Sequence, residues 1–170
     1  MNKFIQANQL KMRKERDISF HYTNENMVKD LIKLTPIKQQ NSVLDAGSGK
    51  NKVWYKNIKN YDKYECEIEN NCDFYKWSKK VDWIIGNPPF SSGWKFLEKA
   101  SIIANIGIAF LGNINFYNCL TPVRLTKLKE KGFTIKHIHI IADKRWFGRY
   151  YYIIFTKENN NFISWNTFTY

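Results

Sequence analysis

Cysteine is scarce in this 170-residue sequence, with only Cys66, Cys72 and Cys119 and no Cys-x-x-Cys pair. Three cysteines cannot all pair, so neither a disulfide framework nor a structural zinc is expected to organise the fold. The expectation is a reduced, cytoplasmic protein without a metal. Long apolar runs are missing too. No stretch reaches the roughly 18 apolar residues of a membrane-spanning helix, so no membrane partner is expected. The N-terminal MNKFIQANQLKMRKER has no apolar core followed by small residues, which argues against a secretory leader. Repeats and Gly/Ser/Pro linkers are absent, and the length suits one domain. Acidic residues are outnumbered: 15 Asp and Glu face 27 Lys and Arg, a net charge of +12. Such an excess fits a polyanionic partner, although Lys- and Asn-rich chains also arise from AT-rich genomes.

What is present is ample core material, with 44% apolar and 16% aromatic residues, far from a disordered composition. Residues 1–19 are polar and read as a basic arm, densest at Lys11, Arg13, Lys14 and Arg16. Asn24 to Leu34 carries Met27, Val28, Leu31, Ile32 and Leu34 at helical spacing, with Asn24 as a cap and Pro36 as a stop. Ser42 to Asp45 reads as a strand, followed by the turn Ala46-Gly47-Ser48-Gly49 and a short helix through Tyr55. Further strands are expected at Tyr64–Ile68, Val81–Gly86, Ile106–Leu111, Thr134–Ile141 and Tyr150–Thr156. Helices are expected at Trp94–Ala104 and from Pro122 to Gly132. Alternating strands and helices imply an α/β fold with a mainly parallel sheet covered on both faces. The last two strands would form an antiparallel hairpin.

Three segments at strand ends carry candidate chemistry. The glycine turn permits close approach of a ligand, and Asp45 can accept hydrogen bonds from a ligand or from turn amides; an ordinary tight turn explains it equally well. It lacks the third glycine of the dinucleotide fingerprint. Glu67 stands 22 positions after Asp45, the separation at which an acidic side chain can hold ribose hydroxyls. Glu65, Glu67 and Glu69 would share one strand face, so alternation cannot choose among them, and a solvated face is the alternative. Asn87-Pro88-Pro89-Phe90 is the sharpest signal. Two prolines make a stiff loop with few donors, Asn87 adds a carbonyl acceptor, and Phe90 adds a ring face. Acceptors beside a ring suit a planar base with an exocyclic NH2 group. A proline-stiffened turn with a core Phe is the plainer reading.

Val43-Leu44-Asp45-Ala46-Gly47-Ser48-Gly49 and Asp82-Trp83-Ile84-Ile85-Gly86-Asn87-Pro88-Pro89-Phe90 together resemble a class I S-adenosylmethionine-dependent methyltransferase. The Asn-Pro-Pro-Phe form resembles the amino-methyltransferase motif of N6-adenine and N4-cytosine enzymes. With Glu67, Asp73 and Phe74, the chain is most similar to small phage-type and bacterial adenine-specific DNA methyltransferases, over roughly residues 20–156. The resemblance implies a Rossmann-like fold, S-adenosyl-L-methionine as cofactor, and residues 20–170 as a catalytic domain with no separate target-recognition domain. It implies that Tyr22, Thr23, Asp45, Ala46, Gly47, Gly49, Glu67, Asp73, Phe74 and Asn87 hold the cofactor, and that Asn87, Pro88, Pro89 and Phe90 form the catalytic loop. The family usually has proline after the Thr23 position and often a third glycine; this sequence has Asn24 and Asn51 there.

The implied target is adenine in DNA ahead of RNA, with a protein partner or homodimer supplying specificity. Cytosine amines, protein glutamine amides and a non-catalytic subunit of the same fold are the other readings. Ser91 and Ser92 would touch the substrate backbone. The Lys144-Arg145-Trp146-Phe147 loop interleaves cations and aromatics, as loops that grip phosphates and stack bases do; a basic hairpin turn is its bland reading. His137 and His139 alternate on a strand and are expected to be structural; His21, next to Tyr22-Thr23, could line the pocket, with a role outside it as the plainer reading.

Overall fold

The computed structural model describes residues 23–60, 62–142 and 149–158. The basic arm, His21, Tyr22, the loop Lys144–Phe147 and residues beyond 158 lie outside the described residues, and of Phe90 only the backbone is described.

The first helix, α1 (Glu25–Leu34), starts where expected. The Asn24 side chain accepts from the Asn26 and Met27 amides, meeting two donors that a helix start leaves open. Strand β1 (Val43–Ala46) leads through the glycine turn to α2 (Val53–Asn57). Strand β2 (Lys63–Cys66) stops short of the expected Ile68, because the chain turns into 3-10 geometry at Ile68–Asn70 and again at Phe74–Lys76. Strand β3 (Val81–Gly86) runs into the proline loop and a 3-10 turn at Phe90–Ser92. Then follow α3 (Gly93–Ile103), β4 (Ala104–Asn113), α4 (Ile114–Asn118), α5 (Pro122–Glu130), β5 (Thr134–Ile141) and β6 (Tyr150–Thr156). Helix α4 has no counterpart in the expected elements. Its five residues are too few to show a period, and it is placed by Phe116, which is fully buried.

The six strands form one sheet in the order β2-β1-β3-β4-β6-β5. Strands β1 to β4 are parallel, and β6 pairs antiparallel with both β4 and β5. The antiparallel terminal hairpin is therefore as expected. Alternation along the strands divides the core into two layers. Leu44, Ile84, Ile108, Phe110, Ile153 and Phe155 face one layer, capped by α3 and α5. Val43, Trp83, Ile85, Ala109, Leu111, Tyr152 and Ile154 face the other, capped by α1 and α2. Trp83 fits in the second layer because Gly107 lies beside it: a Cβ there would sit 2.3 Å from the indole. Among the described residues no helix is long and apolar enough to cross a membrane, and no cluster of three potential metal ligands occurs.

Cysteine pairing differs from expectation. Cys66 and Cys72 are joined by a disulfide, and Cys119 is free. Six residues separate the pair in sequence, and the turn at Glu67–Asn71 brings their Cα atoms to 5.1 Å, within bonding range. The strand pattern, which continues to Ile68 in the sequence, hides that turn.

Candidate active site

Strand order reverses at β1, since the chain goes first to β2 on one side and then to β3 on the other. The carboxyl ends of β1 and β3 therefore diverge into a crevice, the usual ligand position in such sheets. A cavity of about 720 Å³ opens there. Its size falls among small-molecule sites of roughly 300–1,000 Å³. Three walls enclose it: the glycine turn, the segment between Cys66 and Tyr75, and the proline loop with Thr23, Ser92 and Phe96.

The glycine turn is held from beneath. Gly47 and Gly49 take positive φ values of 73° and 64°, which glycine adopts without strain. The Cys66 carbonyl accepts from the Gly47 and Ser48 amides at 2.8 and 3.2 Å. Glu65 accepts from the Ser48 hydroxyl at 2.7 Å and pairs with Lys52. Burial works against an ionised Glu65, but the Lys52 and Ser48 hydrogen bonds outweigh it and hold the carboxyl below its usual value. Glu67 Oε2 accepts from the Gly49 amide at 2.6 Å. The three glutamates are thus separated by the end of β2. Glu65 is tied into the turn, Glu67 stands on the cavity wall, and Glu69 falls in the 3-10 turn at the rim.

Asp45 lies below the cavity and does not line it. It is fully buried, its Oδ2 accepts from the Tyr55 amide at 2.9 Å, and its Oδ1 has no partner. Burial lifts its pKa to about 8, and the nearby Glu65 and Glu67 charges add to the rise. Gly86 makes room for this arrangement: a Cβ there would lie 2.7 Å from the Ala46 carbonyl and 3.2 Å from Asp45 Oδ1.

On the opposite wall, Asn87 Nδ2 donates to Thr23 Oγ1 at 3.4 Å. Asn87 Oδ1 is buried and has no partner. A buried carbonyl without a donor is costly, and Asn87 lines the cavity, where a ligand donor would satisfy it. The Pro89 carbonyl is taken by the Ser92 amide at 3.0 Å, which closes the 3-10 turn after the loop.

Of the expected site residues, Thr23, Gly47, Gly49, Glu67, Asp73, Phe74, Asn87, Pro88, Pro89 and Ser92 are brought together on the cavity wall. Asp45, Ala46 and Ser91 do not line it. Asp73 Oδ1 caps the following turn by accepting from the Tyr75 amide at 2.9 Å. Phe74 is 4% exposed and stacks on Phe96 with centroids 4.5 Å apart. His137 and His139 stack on one another on the edge strand β5, away from the cavity. Lys50, Trp54, Ile68, Tyr75 and Phe96, which no motif marks, also line it, as does Asn51 at the third-glycine position. Ile68 had a signal: an apolar residue directly after the acidic strand end, here 71% exposed at the cavity.

No protein-family model matches this chain, and no curated protein sequence matches it. Solved structures do. The crystal structure of TrmN from Thermus thermophilus aligns with a TM-score of 0.58 at 17% identity, over 80% of this chain and 49% of that one. The present chain thus spans about half the length of TrmN. The 23S rRNA methyltransferase ErmE aligns with a TM-score of 0.65 at 12% identity, over 85% and 72% of the two chains. Magnesium protoporphyrin IX methyltransferase (ChlM) from Synechocystis PCC 6803, with bound SAM, aligns with a TM-score of 0.54 at 12% identity, over 79% and 77%. The fold is the Rossmann-like class I methyltransferase fold.

Proposed function

We propose that this chain transfers a methyl group from S-adenosylmethionine to the exocyclic N6 amine of adenine in DNA. The observation that carries the reading is Asn87 Oδ1, a buried acceptor without a donor at the carboxyl end of β3. The methyltransferase fold and the intact Asn-Pro-Pro-Phe loop support it.

The cavity residues fit the cofactor. The carboxylate of Glu67 is placed to take ribose hydroxyls, and the exposed Ile68 offers an apolar surface for the adenine ring. The positive-φ turn at Gly47 and Gly49 leaves room for close approach of the methionine part, beside Thr23. When bound, the cofactor supplies an electrophilic methyl group on a sulfonium.

The chain's own residues act on the amine. In adenine the N6 lone pair is delocalised into the ring, which makes the amine a poor nucleophile. Asn87 Oδ1 and the Pro88 carbonyl accept the two N6 hydrogens. Holding both hydrogens favours a more tetrahedral nitrogen with its lone pair free, and Phe90 stacks on the base. Positioning and fixed dipoles, rather than a basic side chain, then supply the acceleration. Thr23 has a part as well. Its oxygen takes the Asn87 Nδ2 hydrogen, which leaves the amide oxygen free for the substrate.

A second reading, adenine in RNA, is favoured by the likeness to an rRNA methyltransferase. The test is incubation with S-adenosylmethionine and separate pools of duplex DNA, single-stranded DNA and RNA, followed by digestion and mass spectrometry of nucleosides. N6-methyldeoxyadenosine, absent with Asn87→Ala, is the expected product. N6-methyladenosine from the RNA pool alone selects the second reading. N4-methylcytosine moves the target to cytosine. No methylated nucleoside from a protein that binds cofactor overturns the nucleic-acid reading and leaves a protein amide or a non-catalytic role.

A further inference from the structure

We propose that Tyr117 and Tyr151 form a stacking platform for an unpaired base flanking the target nucleotide, so that the site engages single-stranded DNA. The proposal rests on the nucleic-acid reading above and extends it to residues outside the cavity.

The placement follows from strand register. Gly86, the last residue of β3, is level with Phe110 of β4, and β4 continues to Asn113 before α4 begins. Three further residues carry α4 roughly 10 Å past the end of β3, alongside the proline loop. Phe116 pins it there. A Cβ on Gly93, just after the 3-10 turn at Phe90–Ser92, would lie 2.5 Å from the Phe116 ring, and one on Gly112 equally close to Phe116 Cβ. Ring contacts also run from the cavity wall to α4: Phe74 to Phe96 at 4.5 Å, Phe96 to Phe110 at 6.2 Å, and Phe110 to Phe116 at 6.3 Å. Tyr117 follows directly, facing outward, 38% exposed.

The ring is presented as a platform. Tyr117 stacks on Tyr151 with centroids 4.7 Å apart and planes 22° apart, so one face is fixed against its partner. A ring already held in place loses little freedom when a base stacks on it. The surrounding charge suits a polynucleotide strand. Two cations stand at this end of the sheet, and the sequence has no acidic residue between Glu98 and Glu130. Exposed Arg149 leads into β6 two residues before Tyr151, and Arg124 lies over Trp94 at 5.1 Å beside the 3-10 turn. Aromatic faces among cations are the chemistry of single-strand binding. In an intact duplex both faces of a flanking base are covered by its neighbours, whereas a single strand leaves them open to the platform.

The test is binding, which does not depend on methyl transfer. Fluorescently labelled dT12 contains no adenine, and a 12-mer of abasic sites carries the same charge without bases. The wild-type chain is expected to bind dT12 roughly tenfold more tightly than the abasic strand. Tyr117→Ala loses that difference while binding the abasic strand as before, and Tyr117→Phe keeps it. Cofactor affinity and melting temperature of each variant report folding. Photocrosslinking of 5-iodouracil-substituted dT12 to wild-type protein is expected to map to Tyr117 or Tyr151. Equal affinity of the wild type for dT12 and the abasic strand, an unchanged preference in Tyr117→Ala, or crosslinks only elsewhere would overturn the proposal. The nucleoside assay above fails or succeeds independently of these results.

Discussion

Asn87 Nδ2 donates to Thr23 Oγ1, and in the proposed reaction that bond leaves the amide oxygen for the substrate. Asn87→Ala removes the acceptor. Methyl transfer is expected to fall at least a hundredfold, with cofactor affinity within about twofold of wild type; equal loss of both would make the residue structural. Thr23→Val leaves the shape but removes the partner of Asn87 Nδ2. At saturating cofactor, kcat is expected to fall about tenfold, the worth of a single polar contact, and Thr23→Ser should restore most of it. An unchanged kcat in Thr23→Val would show that the amide orients itself. Asp45 is a different case, a buried carboxyl whose pKa is raised to about 8 from an ordinary value near 3.8. The native state favours the protonated form. Its contribution to stability is therefore complete below about pH 4 and is lost as pH rises through 8. The melting temperature of Asp45→Asn relative to wild type is expected to climb steadily between about pH 5 and 8. A constant difference across that range would mean that Asp45 is ionised throughout.

At the scale of elements, the segment between Cys66 and Phe74 does most to shape the cavity. Read as sequence, it continued β2 and left three glutamates on one face. The strand stops at Cys66, whose carbonyl is occupied by the glycine-turn amides. The Glu67 carbonyl then accepts from Asn70 and Cys72, turning the chain back on itself. The disulfide ties the two ends of this turn. Cys72→Ser is expected to lower stability by about 2 kcal/mol, because the unfolded chain regains freedom over a short loop. It should also weaken cofactor binding several-fold, since Glu67 and Ile68 are carried between the tied ends. Denaturant unfolding and cofactor titration measure the two effects. Wild-type values in both would show that the turn is held by its backbone bonds alone. Helices α1 and α5 were legible because capping residues and apolar spacing agree: Asn24 opens the first, and Thr121 and Pro122 open the second. Helix α4 was not, since five residues show no period, although Asn113 caps it and Phe116 packs against two glycines.

For the whole molecule, topology and charge act together. The sheet order puts the cavity at the β1–β3 reversal, and the chain carries a net charge of +12. Binding of a polynucleotide is expected to weaken steeply with salt. Contacts to three phosphates of a single strand give a log–log slope of about −2. Affinity for dT12 measured from low to moderate salt tests this, and a flat profile would remove the electrostatic argument for a nucleic-acid partner.

The sequence by itself determined the alternation of strands and helices, the antiparallel end of the sheet, the glycine turn and the proline loop. Each is written in local chemistry: apolar period, positive-φ glycines, and prolines that forbid regular structure. Tertiary structure alone decided that Glu65 ties into the glycine turn while Glu67 and Glu69 line the cavity, that Cys66 and Cys72 pair, that Thr23 reaches Asn87 across 64 positions, and that Tyr117 rests on Tyr151. Those outcomes depend on where strands end and how distant segments close on one another. Residue order encodes them only through the packing of the whole sheet.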